Sequence, residues 1–310
     1  MNTKLLTIFT RKPLHVGAGS SVGAVDQPVV RERHTGYPVI PGSAIKGVLA
    51  DLWLKKNEDG STFFLEKEIG GRKVYESVRD KDGVELLGAE NGDAKAGSLL
   101  IGEGKLLAFP VRSAKGCWAW LTCPLALKRF ARDCGLAMDG GSGAPAPQPK
   151  DGSVSLFAPE PPNDEVYAPK KLEVGGSVVF EEYPLKIKGV VSEQTIRALA
   201  GLSDDEVWKT LADHLAIVSD ELFAYFAQNA CEIANHNRID DKTGVVVQGA
   251  LFSQENVPSE TMFYSVLNTQ KASDFEKLEA KLANEKGLLQ IGADMTTGLG
   301  WCSVATKEVK

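Results

Sequence analysis

The chain has 310 residues, 43% hydrophobic and 25% charged, with a formal net charge of −6. This length holds one large domain or two modest ones around a core of useful size, and no apolar run approaches the roughly 18 residues of a membrane span. The negative sign argues against a surface that grips nucleic acid by charge alone, so any phosphate contact must be local or come from backbone N–H groups.

The first ten residues, MNTKLLTIFT, lack a signal-peptide pattern and read as a strand, apolar and β-branched over 4–11. A glycine-rich loop follows, with Gly17, Gly19 and Gly23, then an isolated acid, Asp26, and the basic pair Arg31 and Arg33. Apolar residues at Ile45, Val48, Leu49, Leu52 and Trp53 have helical spacing and predict a helix over 42–56 with Ser43 as N-cap. The polar, glycine-dotted stretch 57–98 predicts loops and a short helix. Residues 98–123 predict two or three strands broken at 102–104 and at Pro110, and 124–138 predicts a helix with Pro124 in its first turn.

Composition then shifts to Gly, Pro and Ser over 139–169, which predicts a mobile surface insertion. Residues 171–187 are strand-like. The stretch 203–216, SDDEVWKTLADHLA, predicts a helix capped by Ser and Asp, and 220–230 a shorter one. A hairpin is expected over 236–258, turning at 240–244 and returning along 245–252. A strand at 261–268, a helix over 273–287 closed by Gly287, a strand at 288–294, a glycine loop and a last strand at 301–309 follow. Strand–loop–helix at the start and strand–helix–strand–loop–strand at the end fit an α+β fold with a split ferredoxin-like core and long insertions. Five scattered cysteines, no CxxC and only four histidines point to a reducing cytoplasm and away from a Cys/His zinc site.

The loop GAGSSVG does not match a dinucleotide fingerprint. Its third glycine comes one residue late, and the following AVDQPVV is extended and carries a proline. It reads as a flexible turn, with a nucleotide site as the alternative. PGSAIKG (41–47) says more: the first helical turn presents free N–H groups with Lys46 beside them, a phosphate site that needs no basic patch. A capped helix with a surface lysine is the plain alternative. GADMTTGLG (292–300) is a second backbone-rich loop beside core strands, and PGSAIKG and GADMTTGLG together predict one joint surface.

Four stretches together carry a resemblance: HVGAGSSVGAVDQPVVRERHTGYPVIPGSAIKG (15–47), FPVRSAKGCWAWLTCPLALKRF (109–130), NRIDDKTGVVVQGALFSQENVP (237–258) and LQIGADMTTGLGW (289–301). They resemble the backbone subunit of the Cmr effector complex of type III-B CRISPR systems, in the Cas-seven-like RAMP superfamily. The likeness covers most of the chain outside 57–97 and 139–170. The terminal glycine loop and PGSxxKG place the superfamily. VDxPVxRERxTGYPVIPGS and FPVRSxKGxxAWxTCP point to this subunit rather than its type III-A counterpart.

The resemblance implies a single RAMP domain over 1–310, a ferredoxin-like (RRM-like) palm, and a thumb hairpin over 232–260 that distorts a guide–target duplex at regular intervals. It implies copies stacked along a CRISPR guide RNA with other Cmr subunits, in the cytoplasm and away from membranes. It also implies endonucleolytic cleavage of single-stranded target RNA with Mg2+ or Mn2+, weakly held by Asp26 and RNA phosphates. Asp26 matches the family's cleavage aspartate. Glu255 is the candidate for a second acidic position after the thumb strand, and His15 either carries a proton or packs against the guide. Candidate RNA contacts are Gly17, Gly19, Arg31, Ser43, Lys46, Arg238, Gly292, Thr297, Gly298 and Gly300. Ala44 stands where a serine is usual and Ala50 where an arginine is, which weakens local phosphate contacts. One acid can suffice because RNA brings its own nucleophile, the 2′-OH, and much of the acceleration is geometric. The alternatives are a non-catalytic guide-binding scaffold, the type III-A counterpart, and a metabolic enzyme holding a nucleotide on the first glycine loop.

Overall fold

The computed structural model of the chain describes residues 1–20, 23–89, 96–139, 155–157 and 159–309. Strand β1 (Asn2–Thr10) is buried from Leu5 onward. Its side chains alternate, so Leu6 and Ile8 enter one core layer and Leu5 and Phe9 the other. A long loop leads to β2 (Val39–Ile40) and helix α1 (Gly42–Asp51), which buries Ile45, Leu49 and Ala50. The helix stops short of the predicted residue 56. Its cap is Pro41, with no side-chain bond, and Ser43 lies inside the first turn rather than capping it. A Cβ on Gly42 would stand 2.8 Å from the Ile101 carbonyl oxygen, so close backbone packing fixes this helix end.

The 57–98 stretch contains a hairpin that its polarity concealed, β3 (Phe64–Ile69) and β4 (Arg72–Ser77), before α2 (Lys81–Leu87) supplies the expected short helix. Gly70 and Gly71 turn it with φ of 59° and 75°, the left-handed pair that a two-residue hairpin loop requires. Strands β5 (Leu100–Ile101), β6 (Gly104–Arg112) and β7 (Trp118–Thr122) follow. Pro110 does not break β6; it stays in the strand, where its ladder partner is Trp120 of β7. Helix α3 (Pro124–Cys134) begins on its proline and is closed by Gly135 in the left-handed conformation.

Strands β8 (Ala137–Asp139) and β9 (Ser155–Phe157) pair in parallel. Of the stretch predicted as an insertion, residues 140–154 and 158 lie outside the described residues. Its end is no surface insertion: β10 (Glu165–Tyr167) sits within the main sheet, and Val166 is fully buried. Strands β11 (Ser177–Phe180) and β12 (Tyr183–Gly189) are followed by an unanticipated helix, α4 (Glu193–Ala200), capped by Ser192.

The helix predicted over 203–216 does not form. A 3-10 turn (Trp208–Thr210), a single α-turn, α5 (Leu211–His214), and a strand, β13 (Leu215–Ile217), take its place. Trp208 decides this. Its ring meets Phe9 at 5.5 Å and Trp120 at 4.8 Å, and its Nε1–H donates to the Leu199 carbonyl. Burying a satisfied indole outweighs a weak local helical preference.

The chain ends with α6 (Asp220–Asn229), β14 (Glu232–His236), β15 (Phe252–Asn256), β16 (Met262–Thr269), α7 (Ala272–Asn284), β17 (Leu288–Gln290) and β18 (Trp301–Glu308). Strands β14 and β15 pair antiparallel, from Glu232 opposite Asn256 to His236 opposite Phe252. The turn falls at 240–244 as predicted, with the Asp240 carboxylate accepting from the N–H groups of Lys242 and Thr243. The predicted return along 245–252 is reduced to one bridge, Ile239 to Val246, and the true return starts at Phe252. Gly249, with φ of 77°, interrupts the apolar run that suggested the longer strand.

Strands β6, β16, β1 and β18 lie side by side in that order, every adjacent pair antiparallel. In chain order this is 2-3-1-4, with α1 after the first strand and α7 after the third. That is the ferredoxin-like α+β core the sequence predicts. Strands β7, β13, β10, β12 and β11 extend it beyond β6, and β17 beyond β18.

Residues 258–260 carry β15 into β16. Glu260 there has φ of 67°, and its carboxyl is pushed up to about 7, by burial first and by Asp205 second, with Arg11 opposing. The folded chain therefore keeps a proton that the unfolded chain gives up near 4.5. Stability falls as pH rises between these values, and the cost stays in full above pH 7. Glu260→Gln is expected to melt higher than the parent at pH 8 and alike at pH 4.5 or below. Equal melting at pH 8 would show that the carboxylate is solvated after all.

Candidate functional site

Three segments distant in sequence meet at the base of the β14–β15 hairpin. The first loop leaves β1 and exchanges backbone bonds between Leu14 and Val257, at 2.8 and 2.9 Å. Past its glycines it runs parallel to β15. Gln27 N–H donates to Ser253 O at 3.0 Å and Glu255 N–H to Gln27 O at 2.9 Å. The loop thus satisfies the β15 edge that β14 leaves open. Because it is extended here, it presents no helix N-terminus to a pyrophosphate, and the dinucleotide alternative lacks its geometry. The terminal glycine loop closes the third side: Ala293 N–H donates to His15 O and Gly300 N–H to Pro13 O, both at 2.9 Å. The first loop and the terminal glycine loop therefore meet here, whereas no hydrogen bond among the described residues joins the terminal loop to 41–47, the partner the sequence predicts for it. A Cβ on Gly292 would lie 2.2 Å from His15 O and one on Gly300 2.0 Å from Ile291 O. Both have positive φ, 83° and 75°, so glycine is demanded twice over.

Asp26 is exposed at this junction, and one of its oxygens is engaged. Oδ2 accepts from the Ser253 N–H at 2.7 Å and from its Oγ–H at 2.9 Å, and the Asp26 N–H donates back to Ser253 Oγ at 3.0 Å. Oδ1 has no hydrogen-bond partner among the described residues. The Ser253 bonds, backbone first and hydroxyl second, hold the carboxyl below the usual range. At neutral pH Asp26 is an anion with one oxygen fixed and one available.

Glu255 and Arg31 face inward, onto each other. Glu255 Oε1 accepts from Arg31 Nη2, and Oε2 accepts from the Val29 N–H at 3.0 Å. Arg31 also donates to the carbonyls of Gly36 and Ala227, at 2.7 and 2.8 Å. With Glu255 only 7% exposed, the pair fastens the loop to the end of α6. His15 is buried as well. Its Nδ1 lies 2.7 Å from the Glu255 carbonyl oxygen, which can only accept, so Nδ1 carries the proton. Its Nε2 faces Gly17, where a Cβ would stand 2.8 Å away.

The remaining candidates are dispersed. Ser43 and Lys46 are exposed on the first turns of α1, and Arg238 is exposed on the outer hairpin. None of the three has a side-chain bond to the cluster among the described residues. Gly19 and Gly298 have open space where a Cβ would be, and Thr297 donates its hydroxyl to Asp294 O at 2.9 Å. Sequence reasoning missed Ser253, Gln254 and Asp294. Gln254 Nε2 donates to Asp294 Oδ2 at 2.5 Å, tying the hairpin to the terminal loop. No local pattern marks these residues, because their partners lie 227 and 40 positions away.

The family model of the RAMP superfamily matches residues 7–303, and the chain belongs to that superfamily. Within it, the chain is 34% identical over 321 residues to the CRISPR system Cmr endoribonuclease Cmr4 of Pyrococcus furiosus, covering 100% of this chain and 97% of that protein. The crystal structure of oligomeric Cmr4 from Pyrococcus furiosus shares the fold with a TM-score of 0.69 at 27% identity, over 100% of this chain and 99% of that one. A chain of the type III-B Cmr-beta complex in its apo state shows the same fold, with a TM-score of 0.70 at 19% identity, over 100% and 99%. The resemblance drawn from the four sequence stretches is borne out.

Proposed function

We propose that this chain binds a CRISPR guide RNA, stacks in copies along it, and cleaves the paired target RNA at regular intervals with Asp26 as the working carboxylate. One observation carries this reading. An ionised, exposed carboxylate, with one oxygen fixed and the other without a partner among the described residues, stands at the root of a projecting hairpin, in a chain 34% identical to an endoribonuclease.

The target's 2′-OH must be brought in line with the phosphorus, lose its proton, and expel an oxygen whose charge is stabilised. The outer hairpin exposes apolar side chains: Ile239 57%, Val245 62%, Val246 49% and Leu251 67%. Wedged into a duplex, it unstacks a nucleotide and supplies the alignment. Asp26 Oδ1 then accepts the 2′-OH proton, a contribution of about 10²–10⁴-fold. His15, Glu255 and Arg31 hold the loop that carries Asp26. Among the described residues no group of three His, Cys, Asp or Glu side chains could hold a metal ion, and Asp26 alone does not make a cation site. A divalent ion on the RNA phosphates would supply charge neutralisation, with Asp26 as its one protein carboxylate.

Guide contacts come from backbone and lone cations: the first N–H groups of α1, at Gly42 and Ser43, with Lys46, and the terminal glycine loop around Thr297 and Gly298. Lys46→Ala is expected to weaken guide binding evenly across sequences and to lower the salt slope by about one, read by titration at several salt concentrations. A loss confined to some base compositions would count against it. The proposal itself is tested with reconstituted complex, guide and end-labelled matched target. Regularly spaced cuts support it, and guide binding without any cut makes the chain a scaffold.

A further inference from the structure

We infer that Ser253 is the positioning residue of the cleavage site: it fixes Asp26 Oδ2, presents Oδ1 to the RNA, and ties the working carboxylate to the thumb hairpin. This rests on the reading of Asp26 given above.

Asp26 lies on an exposed loop, where a carboxylate would otherwise sample several rotamers. Ser253 removes that freedom with three bonds, two into Oδ2 and one from the Asp26 N–H, at 2.7, 2.9 and 3.0 Å. Oδ2 already accepts two donors, so a further donor such as a 2′-OH finds its better site on Oδ1. The anchor is itself rigid. Ser253 is in register with Asn235 across β14, and its carbonyl receives Gln27 N–H at 3.0 Å. Among the described residues its hydroxyl both gives and takes its bonds on Asp26 alone, whereas the following Gln254 and Glu255 serve Asp294 and Arg31. The orientation of Asp26 thus depends on where the hairpin stands, and a hairpin displaced from the loop would carry the donor away from the carboxylate.

Ser253→Ala deletes the hydroxyl and keeps the backbone N–H bond. In reconstituted complex the single-turnover cleavage rate is expected to fall about tenfold, from the loss of the hydroxyl's two bonds, one into the charged carboxylate and one from the Asp26 N–H. Target affinity and melting temperature should stay near parental, and Ser253→Thr should restore the rate. In an Asp26→Asn background Ser253→Ala should change the residual rate by less than about twofold, because a residue acting through Asp26 has nothing left to position. The inference falls if Ser253→Ala cuts at the parental rate while Asp26→Asn does not, or if the two losses multiply. It falls also if rate and target affinity drop together with the melting temperature, which a purely structural tie would cause. Asp26→Asn cutting at the parental rate would overturn the reading of Asp26 first and this inference with it.

Discussion

Asp26→Asn is expected to slow cleavage of a guide-matched RNA by roughly 10²-fold or more while leaving guide binding intact and target affinity within about threefold. The geometry says why so small a change acts so strongly. The Ser253 N–H and hydroxyl both need an acceptor at the Oδ2 position. In asparagine the single carbonyl oxygen turns to fill that place, which leaves the NH2 group where Oδ1 stood. On the proposed reading, a donor then faces the RNA at the point where a proton must be accepted. The loop keeps its bonds, so the fold survives. The assay uses assembled complex, end-labelled target, and Mg2+ or Mn2+ with an EDTA control. A variant that cuts at the parental rate would reduce Asp26 to a turn residue, and one that fails to assemble would make it structural.

Glu255→Ala is expected to act on stability instead. It strips the anion from Arg31, whose side chain is 21% exposed, and the acceptor from the N–H of Val29, a residue 3% exposed. Breaking a largely buried pair from one side costs about 3 kcal/mol, which lowers the melting temperature by roughly 4–6 °C in a chain of this size. Cleavage should fail with it, because the segment holding Asp26 loses its clamp. Glu255→Gln keeps an acceptor for Val29 and should fall between. The measurement is thermal unfolding beside the cleavage assay. An Ala variant that melts like the parent yet does not cut would return Glu255 to the catalytic role its sequence position suggested.

What could be read in advance follows the range of each interaction. Strands β1, β16 and β18 and helix α7 announce themselves through local periodicity, and their order along the chain is enough for the ferredoxin-like core. Trp208 is different. Its neighbours Phe9 and Trp120 are set by the tertiary fold, so the acid-rich stretch around it looked helical. Charges misled for the same reason. Arg31 and Glu255 are 224 positions apart, and each alone looks like a functional group awaiting RNA. Asp26 was legible as an isolated acid in a glycine loop, and the resemblance gave it a role. The serine hydrogen-bonded to it had no signature at all. The β3–β4 hairpin was legible in principle from Gly70 and Gly71, but charged strands hid it.

Three successive residues of β15 serve three different masters: Ser253 the Asp26 carboxylate, Gln254 the terminal loop, Glu255 the Arg31 guanidinium. Alternation along a strand makes their order a matter of phase. A single residue inserted or lost between 252 and 257 would swing every one of them to the wrong face. Beyond Phe252 the same hairpin is mostly exposed and bridged only at Ile239 and Val246. Evolution can therefore lengthen, shorten or rewrite the projecting end without retuning the root. The shape of that projecting end can change while the bonds of Ser253, Gln254 and Glu255 beneath it stay in step.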